Sequence, residues 1–265
     1  MRLLSQDPPE DLPRRVPLKL QPEPGETLDS ICSGRVQVLQ RRQGYRFTLD
    51  PLLLAHFAIN EGAAQRGRLM DLGTGCGIIP LVLARRLGRK DITALELRPH
   101  LFSLAERNVY LNRCEREVSL VQGDLRRVGM QFAAGSFAHV LCNPPYRTQD
   151  SGRSSVSMEK AIARHELACE LQDVVRAADH LLVPRGTLFM VYPASRFGEL
   201  TSVLRVHRME PRTVRWVHPL ADRPAKRVLL HAVKAGRADL TVLAPLVLHG
   251  DDEHAFTDEV NAMLM

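Results

Sequence analysis

The fold is decided by Leu69-Met70-Asp71-Leu72-Gly73-Thr74-Gly75-Cys76-Gly77-Ile78-Ile79-Pro80. In this stretch a short apolar run leads into glycines at alternate positions, and a second apolar run follows them. Glycines let a backbone turn sharply off a strand and approach a ligand closely, while the free N–H groups at a helix start bind an anion. The stretch therefore predicts a strand, a turn that holds a nucleotide-type cofactor, and a helix. Its G-x-G-x-G spacing differs from the G-x-G-x-x-G of dinucleotide enzymes.

After Gly67, short apolar runs alternate with helical ones, which is typical of a parallel sheet with crossover helices. The predicted strands cover residues 68–72, 92–96, 118–122, 137–142, 187–192, 213–217 and 227–233, and the clearest predicted helices cover 78–87, 100–112, 166–182 and 197–206. The fold class is thus α/β, with a Rossmann-like, mostly parallel sheet and helices on both faces. We expect three parts: a mobile proline-rich tail (1–26), a hairpin and helix (27–66), and the α/β domain (67–265).

The segment before this domain holds two alternating runs, 35–39 and 45–49, separated by the turn-like residues 41–44. Alternation of apolar and polar residues on both sides of a turn predicts a β-hairpin. Asp50-Pro51 follows, a capping residue and a proline suited to a first helical turn, so we expect a helix to begin there and to continue through Ile59.

Composition excludes several classes of protein. The 265 residues are 45% hydrophobic, with 36 Lys+Arg against 30 Asp+Glu and a net charge of +6, which excludes collagen-like and low-complexity chains. No apolar run approaches the roughly 20 residues of a membrane-spanning helix, and the first residues lack a signal-peptide core, so we expect a cytoplasmic protein. The five cysteines form no C-x-x-C pair, which favours buried thiols over a disulfide framework or a metal site.

Acidic residues end three successive predicted strands: Asp71, Glu96 and Asp124. Because a carboxylate at Asp71 would repel an anion, the cofactor should carry a cation nearby, and S-adenosylmethionine, with its ammonium and sulfonium groups, meets this requirement. We expect Glu96 to hold ribose hydroxyls and Asp124 to accept from the adenine amine. The alternative is a nicotinamide-type or purely structural α/β turn. The other predicted cofactor-binding residues of this region are Gly73, Thr74, Gly75, Gly77, Leu97, Leu125 and Asn143.

The fourth of these strands ends in Asn143-Pro144-Pro145-Tyr146. The prolines restrict the backbone, so the side-chain oxygen of Asn143 and the carbonyl of Pro144 can both accept hydrogen bonds from one planar amine, while Tyr146 stacks on its ring. Holding both amine hydrogens frees the nitrogen lone pair for attack on a methyl group without a strong base. We therefore predict that Asn143, Pro144 and Tyr146 are catalytic. The alternative is an ordinary proline-terminated strand with an aromatic contact.

These motifs together resemble those of class I S-adenosylmethionine-dependent methyltransferases that act on planar nitrogen. More narrowly, residues 44–55 and 161–166 resemble the bacterial tRNA1(Val) adenine N6-methyltransferase family, which methylates the adenosine beside the anticodon. The resemblance runs from about Ser30 and includes residues 223–227 and 257–260. It implies a seven-stranded sheet whose last strand is antiparallel, with Phe47, Thr48 and Asp50 over the methionine end of the cofactor. The polar loop 147–160, where a substrate base must enter, departs from the family and can alter specificity.

Candidate RNA-binding residues are Arg164, His165, Arg223, Lys226 and Arg227. The last three belong to a basic stretch, 205–237, with nine Lys/Arg and two acids, whereas residues 238–265 hold six acids and no Lys or Arg. Such a stretch can follow RNA phosphates, or its side chains can simply alternate outward from two strands. Arg164 and His165 can likewise be no more than a solvated helix start.

The leading hypothesis is thus an enzyme that methylates the N6 amine of an adenine in RNA, with tRNA as the expected substrate. We expect it to act as a monomer that binds neither a metal nor a membrane. A protein glutamine N5-methyltransferase of the release-factor type is the first alternative, because the same acceptor set serves a carboxamide. A non-catalytic RNA-binding protein that keeps the fold is the second.

Overall fold

The computed structural model describes residues 20–43, 46–63, 67–144, 170–250 and 255–265. The strands are β1 (Glu26–Ile31), β2 (Val36–Arg41), β3 (Leu69–Leu72), β4 (Ile92–Glu96), β5 (Val118–Gln122), β6 (Phe137–Cys142), β7 (Leu182–Pro193), β8 (Met209–His218), β9 (Arg227–Lys234), β10 (Thr241–Val242) and β11 (Leu246–Val247). The helices are α1 (Asp50–Ala58), α2 (Ile78–Leu87), α3 (Pro99–Leu111), α4 (Leu171–Leu181), α5 (Phe197–Val206) and α6 (Asp258–Leu264). No helix within these ranges is long and apolar enough to cross a membrane.

The main sheet has nine strands in the order β10-β8-β9-β7-β6-β3-β4-β5, with β11 also paired to β8. Strands β3 to β7 are parallel, and β9 runs antiparallel to both of its neighbours. The predicted α/β class and the antiparallel seventh strand are therefore confirmed. The two-residue strands β10 and β11 extend the expected seven strands to nine along the outer side of β8.

Helices cover both faces of this sheet. One hydrophobic core joins one face to residues of α1, α2, α3 and α6, and a second core joins the other face to α4 and α5. The strands between these layers are nearly continuous apolar runs, as expected for parallel strands buried on both sides. Cys32, Cys76, Cys114 and Cys142 are buried, as predicted, and Cys169 lies outside the described residues.

The predicted hairpin is wrong in its pairing. Strand β1 pairs antiparallel with β2, from Glu26 opposite Arg41 to Ile31 opposite Val36, so the first predicted run is the second strand. The turn falls at residues 32–35, where Ser33 and Gly34 have φ of +51° and +85°. A Ser-Gly pair suits the left-handed conformations of a tight hairpin turn. Residues 46–49, from the second predicted run, are irregular.

Most other boundaries agree with the predictions. Strands β4, β5 and β6 and helices α2 and α5 match residue for residue. Strand β7 is longer than predicted because it continues directly from α4, and β8 begins four residues early at Met209. Helix α4 is described from Leu171, while residues 1–19 of the predicted tail and 166–169 of the predicted helix lie outside the described residues.

Candidate active site

The predicted cofactor residues meet at one edge of the sheet. Strands β6, β3, β4 and β5 are parallel neighbours, and Leu72 lies in register with both Leu95 and Cys142. The carboxyl ends of neighbouring parallel strands share an edge, which is the usual place for ligands in open α/β sheets. The glycine turn, Glu96, Asp124 and Asn143 all follow these strand ends.

The glycine turn has the conformation expected of it. Gly73, Gly75 and Gly77 have φ of +74°, +61° and +90°, which side-chain-bearing residues rarely adopt. The N–H groups of Gly73 and Thr74 both donate to the Leu95 carbonyl at 2.9 Å. Helix α2 then begins without a side-chain cap, because its N-cap residue is Gly77. Its first turn therefore offers N–H groups to an anionic ligand.

Asp71 is a buried carboxylate at the end of β3. Its side chain is fully buried, and neither carboxylate oxygen has a hydrogen-bond partner among the described residues. Burial raises the pKa of Asp71 to about 7, and the nearby Glu96 carboxylate adds to this rise. A buried acid without a partner is costly unless a ligand compensates it. The position thus fits the cationic part of a cofactor.

Glu96 braces the glycine turn from the neighbouring strand. One carboxylate oxygen accepts from the Gly75 N–H at 2.8 Å, and the other accepts from the Arg98 N–H at 2.9 Å. Burial raises the pKa of Glu96, while these backbone donors lower it in part. Since each oxygen has a further lone pair, hydroxyl groups of a ligand can still bind here. Leu97, half-buried, follows directly.

Asp124 already has a partner on its own loop. Its carboxylate caps the 3₁₀ helix Leu125–Met130 through the Arg126 N–H and binds the Arg126 guanidinium at 2.7 and 2.9 Å. The hydrogen bond from Arg126 is the main reason why the pKa of Asp124 is lowered. Leu125 packs against the second core. An adenine amine at this position would have to share the carboxylate with Arg126.

The structure describes only the first two residues of the predicted acceptor motif, Asn143 and Pro144. Asn143 follows β6 and is half-buried, and Pro144 is buried beside it. Tyr146, Arg164 and His165 lie outside the described residues, as does the loop 147–160. The structure therefore places Asn143 and Pro144 at the edge with the glycine turn.

The start of α1 joins this edge through an ion pair. The Arg227 guanidinium binds the Asp50 carboxylate at 2.9 Å. Arg227 begins the antiparallel strand β9 opposite Pro193, so it lies where the parallel strand β7 ends. The Asp50 N–H also lies 3.4 Å from the Thr48 hydroxyl. A predicted RNA-binding residue thus contacts a predicted cofactor residue.

The hairpin packs beside the same segment. The Phe47 N–H donates to the Gln40 side chain of β2 at 3.3 Å, and Arg46 forms an ion pair with Asp29 of β1 at 2.8 Å. These contacts hold Arg46 and Phe47 against the hairpin.

The basic stretch is partly neutralised by the acidic segment that follows it. Arg212 pairs with Asp239, and Arg215 pairs with Glu259 at 2.7 Å. By contrast, the exposed Lys226 ammonium has no partner among the described residues, and the exposed Arg223 reaches only Asp222, at 3.8 Å. The sequence separates the two charge blocks, and the fold brings them together. A continuous phosphate track over the whole basic stretch is therefore not formed.

One residue at this site was not predicted. Asn108 of α3 is fully buried and contacts both the hairpin and the glycine turn. The available signal was a pair of asparagines, Asn108 and Asn112, one turn apart within an otherwise amphipathic helical pattern. No group of three His, Cys, Asp or Glu able to hold a metal ion occurs in the described ranges.

The chain matches a known protein family over the residues that form this edge of the sheet. The family described as the methyltransferase small domain matches residues 50–210, from the start of α1 into β8. The chain belongs to this family. The methyltransferase predicted from the strand-end motifs is therefore confirmed, and the matched range contains the glycine turn, Glu96, Asp124 and Asn143.

Two curated relatives and one solved structure are similar over most of the chain. The tRNA1(Val) (adenine(37)-N6)-methyltransferase of Aeromonas salmonicida is 29% identical over 68% of this methyltransferase and 73% of its own length. The protein of the same name from Shewanella loihica is 25% identical over 83% of this chain and 90% of its own length. A solved structure described as a predicted O-methyltransferase of Agrobacterium tumefaciens is 26% identical in sequence to this chain. It superimposes with a TM-score of 0.65, and the match covers 81% of this chain and 94% of that protein.

Proposed function

We propose that this methyltransferase transfers a methyl group from S-adenosylmethionine to the exocyclic N6 amine of an adenine in tRNA. The observation that carries the proposal is the buried, unpartnered Asp71 carboxylate beside the uncapped start of α2. A negative group and free N–H donors side by side suit a ligand with both an ammonium and a carboxylate. The methionine end of this cofactor has both.

Different residues at the edge of the sheet bind different parts of the cofactor. Asp71 faces the ammonium, and the first turn of α2 holds the carboxylate. Glu96 accepts from the ribose hydroxyls through its remaining lone pairs, and Asp124 with Arg126 lies at the adenine end. The backbone approaches the cofactor closely at Gly73, Thr74, Gly75 and Gly77. Leu97 and Leu125 provide apolar contacts. Thr48 and Asp50 lie over the methionine end of the cofactor.

Methylation of an amine requires a free lone pair on the nitrogen. When bound, S-adenosylmethionine supplies an electrophilic methyl group. The side-chain oxygen of Asn143 and the carbonyl of Pro144 accept hydrogen bonds from the two amine hydrogens and hold these hydrogens out of the ring plane. The nitrogen lone pair is then no longer conjugated with the ring, and Tyr146 stacks on the base. The base has to leave its own stack to reach this edge, as in other enzymes that modify bases. The amine gives up its extra proton to solvent after transfer.

The acceptor atom is nitrogen in the proteins from Aeromonas and Shewanella, by their names, and oxygen in the Agrobacterium protein, by its description. Asn143 favours nitrogen, because a pair of acceptors matches two amine hydrogens whereas a hydroxyl carries one. A protein glutamine also presents two amide hydrogens, so it is retained as an outcome of the test. A tRNA substrate favours a cytoplasmic site of action.

The exposed cations Lys226 and Arg223, near the start of β9, are the proposed phosphate contacts. Lys226→Ala should reduce the slope of log affinity for tRNA against log salt by about 1, because one phosphate contact is lost. Arg223→Ala should act in the same direction. Arg212→Ala is the matched control and should leave the slope unchanged, since Asp239 already neutralises Arg212. Filter-binding titrations over a range of salt concentrations measure the slopes; equal slopes for Lys226→Ala and the wild type would exclude Lys226 as a contact.

The substrate class is tested with radiolabelled S-adenosylmethionine. The protein is incubated separately with total tRNA, ribosomal RNA, DNA and a protein extract, and incorporation into each fraction is counted. We expect label in tRNA. Label in protein alone would support the glutamine alternative, and label in none of them, with intact cofactor binding, would support a binding protein without activity.

A further inference from the structure

The side chain of Asn108 joins two segments that are far apart in the sequence. It is fully buried on α3. Its Oδ1 accepts from the Leu39 N–H of β2 at 2.7 Å, and its Nδ2 donates to the Leu39 carbonyl at 3.0 Å and to the Cys76 carbonyl at 2.9 Å. One amide therefore links the hairpin, α3 and the glycine turn.

The orientation of this amide is determined by its partners. Leu39 offers one N–H and one carbonyl, and Cys76 offers a carbonyl, so the oxygen must face the Leu39 N–H and the nitrogen must face both carbonyls. A rotated amide would place its oxygen against two acceptors. Since all three partners are backbone groups buried away from water, replacing Asn108 leaves them unsatisfied.

Cys76 lies within the turn itself, between Gly75 and Gly77. The Gly75 N–H is held by Glu96, and the Gly77 N–H donates to the Thr74 carbonyl at 3.0 Å, so each of these three successive residues has a fixed backbone group. Helix α3 also packs directly on the turn, because a Cβ atom on Gly77 would lie 3.6 Å from Ala105. Ala105 and Asn108 are three residues apart and share one helix face.

Asn112, one helical turn later, provides an internal comparison. Its Oδ1 accepts from the Gln37 N–H at 2.9 Å and its Nδ2 donates to the Gln37 carbonyl at 2.7 Å, which repeats the contact of Asn108 with Leu39. Asn112 is also buried. Its remaining hydrogen bond goes to the Asn108 carbonyl and not to the turn. Both asparagines dock the hairpin, and only Asn108 also binds the turn.

We propose that Asn108 is a positioning residue that fixes the Cys76 carbonyl, and with it the backbone that receives the cofactor, while docking the N-terminal hairpin through the same amide. The inference rests on the proposed cofactor site. A turn held in its binding conformation loses less freedom when a ligand binds, so removing the amide should weaken the ligand and not only the fold.

The test compares Asn108→Ser with Asn112→Ser in the full chain. Both variants should lower the thermal midpoint. In calorimetric titrations, Asn108→Ser should raise the Kd for S-adenosylmethionine by about tenfold or more, whereas Asn112→Ser should stay within about threefold of the wild type. If Asn108→Ser does not fold, Asn108→Thr, which is also neutral and fills more of the space left by the amide, replaces it. Equal changes in Kd for the two positions would overturn the proposal.

A second measurement does not depend on the cofactor. The Cys76 thiol is buried, and burial raises its pKa to about 12, so it should react slowly with iodoacetamide. Peptide mass spectrometry should show faster alkylation of Cys76 in Asn108→Ser only, with Cys142 as the internal reference. Unchanged alkylation in Asn108→Ser would also overturn the proposal. If the wild type fails to bind S-adenosylmethionine, the proposed function is wrong, and the alkylation rates alone decide the role of Asn108.

Discussion

Asp71→Asn should weaken S-adenosylmethionine binding by about a hundredfold while making the free protein more stable. The carboxylate is fully buried without a hydrogen-bond partner, and its pKa near 7 corresponds to about 4 kcal/mol against charging it in the fold. A neutral amide of the same shape removes this cost and also removes the attraction for the ammonium. Calorimetry measures the loss of affinity, and thermal unfolding at pH 8 measures the gain in stability.

The same carboxylate predicts a pH dependence. The folded-state pKa of Asp71 is above its ordinary value of 3.8, so this group favours the folded state most below about pH 4. That stability is lost as pH rises from about 4 to about 7, and the loss is constant at higher pH. Cofactor binding has the opposite trend, because a protonated Asp71 no longer attracts a cation. The Kd should rise about 30-fold between pH 8 and pH 5.5.

Glu96→Gln is the control for this titration, because it keeps Asp71 and removes the neighbouring carboxylate. Its Kd is expected to be higher at every pH but to rise in the same direction on acidification. A Kd in the wild type that does not change between pH 8 and pH 5.5 would mean that Asp71 does not face the ammonium.

Asn143→Ala is expected to lower kcat for tRNA methylation by about 100-fold or more, since the lost oxygen serves the reacting amine in the transition state. Binding of S-adenosylmethionine should change by no more than about fivefold, because Asn143 is one of many groups around the cofactor. Single-turnover kinetics separates the chemical step from binding and release.

Lys226→Ala is the control for Asn143→Ala. It lies at the same edge, and its loss should raise KM for tRNA without lowering kcat. If Asn143→Ala retains the wild-type kcat, Asn143 does not hold the acceptor amine.

The central part of the fold could be predicted because β3, β4 and β6 are largely buried between the helical layers. Short, mostly apolar runs of five or six residues predicted the bounds of β4, β5 and β6, and glycine spacing located the turn. The hairpin was misassigned because periodicity alone does not show which of several short runs pair. The Ser33-Gly34 turn, which decides the register, lies before residues 35–39, which were predicted to be the first strand of the hairpin.

The site was predictable where a residue follows a strand end, and not where it depends on distant partners. The pairing of Asp50 with Arg227 spans 177 residues, and the contact of Asn108 with Leu39 spans 69. No local pattern contains such a contact. The same applies to charge: the basic stretch and the acidic segment are separate in the sequence, and Arg212 and Arg215 are neutralised only when the fold brings Asp239 and Glu259 to β8.

The most direct test identifies the methylated atom. Unmodified tRNA is incubated with the protein and S-adenosylmethionine, digested to nucleosides and analysed by mass spectrometry, with Asn143→Ala as the inactive control. The proposed function predicts N6-methyladenosine in the wild-type reaction and its loss in the variant. A 2′-O-methylated nucleoside in place of N6-methyladenosine, or the same yield of N6-methyladenosine from Asn143→Ala, would contradict it.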